Sequence, residues 1–104
     1  MAQVLFQGLT SSSSPHTLIP MDSTQGNISC ITICNAHASN AATIQLYIAQ
    51  ADLHPSRTYS ILENFVIPAG ASFQITEGVS FNDHEYALLL AIAEASVDIN
   101  VIIK

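Results

Sequence analysis

Cysteine and histidine are the side chains of this sequence best suited to bind a metal ion or to act in covalent catalysis. The two cysteines, Cys30 and Cys34, lie four positions apart. If they share an extended strand, their Cα atoms are separated by roughly 13 Å, at about 3.3 Å per residue. A disulfide requires Cα atoms within about 7 Å, so we do not expect these thiols to pair with each other. We interpret them as two buried thiols that act as small apolar side chains; an inter-subunit disulfide or a metal site is the alternative.

The histidines occur in unrelated contexts, in predicted loops or at the start of the first predicted strand of the main domain. They are His16, His37, His54 and His84. Nucleophilic catalysis needs a nucleophile, a base and an orienting group within hydrogen-bond reach, and no such set is apparent. The triplet Asp83-His84-Glu85 is the best metal-ligand candidate, but adjacent residues at an extended tip seldom point at one ion. The sequence therefore predicts no catalytic residue, no metal site and no cofactor.

Carboxylates and glycines give no further catalytic signature. Paired carboxylates across a cleft, as in glycoside hydrolysis, would need partners among residues such as Glu63, Glu77 and Glu94, which lie at predicted turns or strand edges. The chain has no tryptophan to hold a sugar, and its four glycines form no phosphate-binding loop. We do not expect an enzyme.

Composition favours a subunit that is packed against neighbours. Of 104 residues, 49% are hydrophobic and only 10% are charged, whereas about a quarter are charged in an average soluble domain. The net charge is −6, with two basic residues, so neither nucleic-acid binding nor attraction to an anionic membrane is expected. No apolar run approaches the roughly 20 residues that span a bilayer, and no signal peptide is apparent. We expect synthesis and assembly in the cytoplasm.

The first 15 residues differ from the rest and predict a flexible N-terminal arm. Val4, Leu5 and Phe6 form a β-prone apolar tip ahead of a serine run, and we expect this tip to add a strand to a neighbour's sheet edge. The string Val-Leu-Phe-Gln-Gly also resembles a viral protease site that expression vectors leave behind. Leu9 stands where that site usually has proline, which favours a native segment.

Residues 16–104 predict one β-sandwich domain. Ile44, Leu46 and Ile48 alternate with polar neighbours, which is typical of a half-buried strand. Seven or eight such short strands, separated by turn signals, indicate an antiparallel sandwich or jelly roll. A bend is expected near residues 63–64, and a hairpin over residues 86–104. A helix is the alternative for residues 85–94, which are rich in alanine and leucine.

One predicted strand, residues 26–35, is apolar on both faces. Ile28, Cys30 and Cys34 are expected on one face, and Ile31 and Ile33 on the other. A second sheet can cover one face, and in so short a chain another subunit is a plausible cover for the other.

The order of motifs along the chain resembles a group of small structural proteins of tailed bacteriophages. The matching segments are residues 1–8, 17–20, 31–35, 36–42, 44–48, 61–70 and 96–102. The sequence departs from the group's pattern at Ile19-Pro20-Met21, where a Val-Pro-Ala-like segment is usual.

This resemblance implies a virion structural protein, which we expect to be a capsid decoration (cement) protein on the outer surface of a phage head. Its expected partners are the major capsid protein and further copies of itself, most often as a trimer. A tail, neck or baseplate subunit is the alternative. A host-surface or carbohydrate-binding module is a further one, with His37, His54 and the triplet at residues 83–85 as its candidate residues.

Overall fold

The protein is an all-β structure, as the sequence predicted. The computed structural model describes residues 4–12, 14–22, 27–50, 58–76, 78–82 and 85–104. Within these ranges there are ten strands and no helix, hence none that could span a membrane. The strands are β1 (Val4–Leu9), β2 (His16–Ile19), β3 (Asn27–Ile28), β4 (Ile31–Asn35), β5 (Ala42–Ala49), β6 (Thr58–Ile67), β7 (Ser72–Ile75), β8 (Val79–Ser80), β9 (Ala87–Ile92) and β10 (Ile99–Ile103).

The strands pair as one long hairpin that is folded over on itself. β1 pairs with β10, β2 with β9, β3 with β8, β4 with β7 and β5 with β6, each antiparallel. Folding this hairpin over on itself adds two further antiparallel pairs, β4 with β10 and β5 with β9. Eight strands thereby form sheet A, in the order β1-β10-β4-β7, and sheet B, in the order β2-β9-β5-β6. This two-sheet arrangement of eight strands is a jelly roll.

The core lies between the two sheets and consists of aliphatic side chains. Ile31, Ile33 and Val101 of sheet A are fully buried, as are Leu46 and Leu90 of sheet B. These positions alternate along their strands with half-buried or exposed ones, because successive side chains project to opposite faces. On one side the edge strands of the two sheets meet through a pair of aromatic rings, Phe65 of β6 and Phe73 of β7, with centroids 4.5 Å apart.

The segment that was predicted to be a strand with two apolar faces is instead two short strands. β3 ends at Ile28 and pairs with β8, and β4 begins at Ile31 in sheet A. Ile28 and Ile31 both belong to the one core between the sheets. The outward positions of β4 are Thr32 and Cys34, both half-buried. The prediction of two apolar faces for this segment was therefore wrong, because the break places its isoleucines on the same side. A cover by another subunit over Thr32 and Cys34 stays a prediction.

The strand that is apolar on both faces is β9. Leu88 and Leu90 enter the core, while Leu89 faces outward from sheet B and is only 7% exposed. Leu89 forms a second cluster with Ala49 and Ala87, against which Met21 and Tyr47 pack. The outward face of this strand is thus covered in part by the chain itself.

The C-terminal residues do not form the predicted hairpin. β9 belongs to sheet B and β10 to sheet A, so the chain crosses between sheets after Ile92. The helical alternative for this region was wrong, since Ala87–Ile92 pairs on both sides with strands.

The predicted bend in β6 is confirmed. Asn64 adopts a positive φ of 50°, and the register with β5 shifts on both sides of the Leu46–Leu62 pair. The turn before β7 uses Gly70, whose φ of 75° favours glycine.

Candidate functional site

The three predicted interaction residues divide between the core and the surface. Val4 and Phe6 of β1 pack against the core, whereas Leu5 is 63% exposed. The segment Val4–Leu9, expected in a flexible arm, is the edge strand of sheet A and pairs with β10. Of the three side chains, Leu5 is therefore the one available to a partner while β1 stays in place.

The outward face of sheet A presents a continuous row of uncharged side chains. Leu5 lies opposite Ile102, Ile102 opposite Thr32, and Thr32 opposite Gln74, so the row crosses all four strands. The Gln74 side-chain amide donates to Thr32 Oγ1 over 3.2 Å. A depression of about 240 Å³ lies along the row and is also lined by Cys30 and Lys104.

No charged residue occurs in any of the four strands of sheet A, all of which the structure describes. Their sequences are VLFQGL, ITICN, SFQI and INVII. Sheet B by contrast includes Glu63 and His16. For a chain of net charge −6, the outward face of sheet A is a distinctly neutral surface. We call it the neutral face; its residues are Leu5, Thr32, Cys34, Ser72, Gln74, Asn100 and Ile102.

The cysteines lie on or beside this face as free thiols. Both are half-buried rather than buried as predicted, and neither is in a disulfide. Cys30 Sγ lies 3.8 Å from Thr32 Oγ1, a long and weak contact.

Four connections meet at one end of the jelly roll, which we call the four-loop end: residues 10–12 with 14–15, residues 36–41, residues 68–71 and residues 93–98. Ser11 N donates to the Glu94 carbonyl oxygen (3.0 Å), and Ala36 N donates to the Asp98 carbonyl oxygen (2.7 Å). The Asn40 side-chain amide donates to the Ser96 carbonyl oxygen over 2.9 Å. These bonds join three of the four connections.

Asn35 bonds to the fourth connection, residues 68–71. It is the one fully buried polar side chain of the described residues. Its Nδ2 donates to the carbonyl oxygens of Asn40 (2.8 Å) and Ile67 (3.1 Å), and its Oδ1 accepts from His37 N (3.2 Å). Its backbone carbonyl accepts from Gly70 N over 2.8 Å. Because an unpaired buried amide is costly, this complete set of partners fixes the end of β4.

His37 and Glu94 use their side chains to hold backbone at the same end. His37 Nδ1 accepts from Ser39 N (3.1 Å) and Asn40 N (3.0 Å). Glu94 Oε1 accepts from Thr43 N over 2.7 Å and so continues the bonding of sheet B. A depression of about 480 Å³ beside them is lined by small polar and alanine side chains together with Glu94. These contacts describe structural roles for both side chains.

The candidate metal and glycan residues do not come together in the described part of the chain. His37 belongs to the four-loop end, whereas Glu85 precedes β9 at the opposite end. His16 Nε2 contacts the Thr10 carbonyl oxygen over 2.7 Å within its own connection. His54, Asp83 and His84 lie outside the described residues. Among the residues described, no group of three potential metal ligands occurs.

Two tyrosines lie near each other at the end opposite the four-loop end. Tyr59 and Tyr86 contact edge to face, with ring centroids 5.9 Å apart and planes at 75°. Tyr59 is 54% exposed. A third tyrosine, Tyr47, packs against the Leu89 cluster, and its partial burial raises the pKa of its hydroxyl above the usual 10.0.

Comparison with known proteins gave no match to a family model, to a curated protein or to a solved structure.

Proposed function

We propose that this protein is a capsid decoration protein of a tailed bacteriophage, which binds the outer surface of the head and bridges capsomers. The observation that carries this proposal is the neutral face. A broad sheet surface whose strands carry no charge, with Lys104 at its margin, suits contact with another protein, since charged groups are costly to desolvate at the centre of an interface. The order of sequence motifs supports the phage context.

The proposed mechanism is stabilisation by mass action. A protein that binds the assembled shell but not its separated subunits shifts the equilibrium away from disassembly. The jelly roll provides a rigid support for this binding, because the central strands β4 and β10 are paired on both sides. The contact therefore requires no change of fold in the decoration protein.

Binding to isolated, undecorated heads tests the proposal with two matched variants. Thr32→Glu adds a carboxylate to the neutral face, and Gln45→Glu adds one to the outward face of sheet B; both residues are half-buried and lie on central strands. Occupancy is measured by co-sedimentation, and head stability by heat-induced release of the packaged DNA.

We expect wild type and Gln45→Glu to bind heads and raise the disruption temperature, and Thr32→Glu to lose at least about tenfold in affinity. Absence of wild-type binding contradicts the proposal. Equal binding by both variants rejects the neutral face as the contact surface.

A tail, neck or baseplate subunit would use the same fold and the same face. The number of copies per virion separates the two locations. Hundreds of copies by quantitative mass spectrometry support the head, and tens or fewer support the tail.

The contact between exposed Tyr59 and half-buried Tyr86 is the one observation that favours a carbohydrate-binding module. Aromatic rings bind the apolar faces of sugars, and Tyr59 is both exposed and positioned by Tyr86. A glycan array tests this alternative: a signal that Tyr59→Ala abolishes supports it. A blank array with firm head binding dismisses it.

A further inference from the structure

The four edge strands of the jelly roll differ in how they are protected from pairing with another chain. Exposed edges are normally blunted by charge, proline, irregular pairing or short length. β2 is bounded by Pro15 and Pro20. β6 carries Glu63 and two irregularities in its register. β7 is four residues long, and its Phe73 contacts Phe65 of the edge strand β6 in the other sheet. Each of these three edges therefore has a recognisable protection.

β1 has the least protection. It is six residues long and contains neither a charged residue nor a proline. Its register with β10 is regular over the three residues Val4 to Phe6 and shifts between Phe6 and Leu9, where Gly8 has a φ of 68°. On the described chain it pairs on one side alone, with β10. The three regular residues, one of which is the exposed Leu5, are thus the template for a further strand.

Apolar side chains lie on the outward face at this same edge. Leu5 is 63% exposed, and its cross-strand partner Ile102 is 37% exposed. A strand added beside β1 would pair the open edge and place a side chain next to Leu5, extending the row Leu5–Ile102.

We infer that two copies of this chain associate through β1, edge to edge and antiparallel, so that two A sheets form one eight-stranded sheet about a twofold axis. With the axis at Leu5, the two Leu5 side chains become a cross-strand pair, flanked by the two Ile102 side chains. This inference rests on the proposed self-association of a decoration protein. It assigns that self-association to the edge of β1, and it predicts a dimer rather than a trimer.

Charge explains why the added strand belongs to a second copy. Two chains of net charge −6 repel each other wherever their carboxylates meet. Neither edge strand of sheet A contains a carboxylate, and at β1 the nearby Asp98 carboxylate lies beside Gly8, at the end away from Val4 to Phe6. Two acidic copies can therefore approach along Val4 to Phe6 without placing carboxylates of their strands opposite each other. A twofold contact is also self-complementary, because each copy supplies the same unprotected strand.

The size of the contact predicts weak association. Stable interfaces bury about 1,600 Å² in total, and one short strand per copy provides much less. We therefore expect a dimer that forms reversibly at high protein concentration, and more completely where copies are concentrated on a surface.

Sedimentation velocity of the full chain, from micromolar to millimolar concentration, tests the inference with two variants. Leu5→Lys places like charges opposite each other in the proposed strand pair, which is destabilising. Val66→Lys is its control, since Val66 is 54% exposed on the edge strand β6 and the change in charge is identical. Unfolding by denaturant checks that both variants keep the wild-type fold.

We expect wild type and Val66→Lys to dimerise with dissociation constants within about twofold of each other, and Leu5→Lys to weaken dimerisation at least about tenfold. Monomers throughout the concentration range, a trimer, or a dimer that Leu5→Lys leaves unchanged would each overturn the inference. Because heads are absent from this experiment, its failure does not touch head binding, which has its own test.

Discussion

At the scale of single residues, Asn35 organises the four-loop end more than any other described side chain. It continues the core-facing positions of Ile31 and Ile33, and its side chain is fully buried. Its amide contacts three backbone groups, two from the connection 36–41 and one from the end of β6. The alternation of β4 gave a signal that this position faces the core. The identity of its partners could not be predicted, because they come from segments up to 32 residues away.

Replacing Asn35 tests this role. We expect Asn35→Ala to lower the free energy of unfolding by about 2–4 kcal/mol, because buried donors and acceptors lose their partners. Asn100→Ala is the control, since Asn100 makes a single exposed bond from Gly8 N; we expect it to cost about 1 kcal/mol or less. Denaturant unfolding measures both. Equal losses would contradict the assigned role of Asn35.

His37 gives a second test at this scale. Its Nδ1 accepts two backbone N–H groups, so this ring nitrogen carries no proton in the observed loop. We expect His37→Ala to destabilise the protein by about 1 kcal/mol, and His37→Asn to recover most of the loss, because Asn Oδ1 can accept the same bonds. Unfolding curves of both variants provide the measurement. Failure of asparagine to rescue the loss would show that the imidazole acts in another way.

At the scale of elements, side-chain alternation predicted most strands but not their pairing. Alternation predicts strands at residues 42–50, 72–76 and 97–104, and β5, β7 and β10 lie within two residues of these bounds, since one-sided burial leaves a period of two in the sequence. It was wrong for residues 26–35, because the break between β3 and β4 changes which alternate positions face the core. It also left β9 ambiguous, because a strand buried on both faces has no polar face to mark it.

The contribution of the buried outward face of β9 to stability can be measured with one matched pair of substitutions. Leu89→Ala should cost about 2–4 kcal/mol, as for a core leucine, because Leu89 is only 7% exposed beneath Met21 and Tyr47. Leu5→Ala makes the same chemical change at a site that is 63% exposed, and should cost less than about 0.5 kcal/mol. Similar costs in denaturant unfolding would refute the covered second face.

At the scale of the whole molecule, the nested pairing makes the N-terminus part of the fold. β1 pairs with β10, so the first described strand closes a sheet together with the last. Deleting residues 1–15 would therefore uncover the edge of β10 and part of the core. Weaker head binding by such a variant would not distinguish a lost contact from a destabilised fold. Substitutions at exposed Leu5 avoid this difficulty. Sequence reasoning predicted a separate arm because composition changes after Pro15. Composition, however, does not reveal a pairing partner 90 or more residues away.

The most direct test of the proposed function is a low-resolution reconstruction of the virus particle, compared with particles that lack this chain. We predict difference density on the outer surface of the head, at contacts between capsomers, in many symmetry-related copies. Density confined to the tail, neck or baseplate, or no difference in the particle, would contradict a capsid decoration protein.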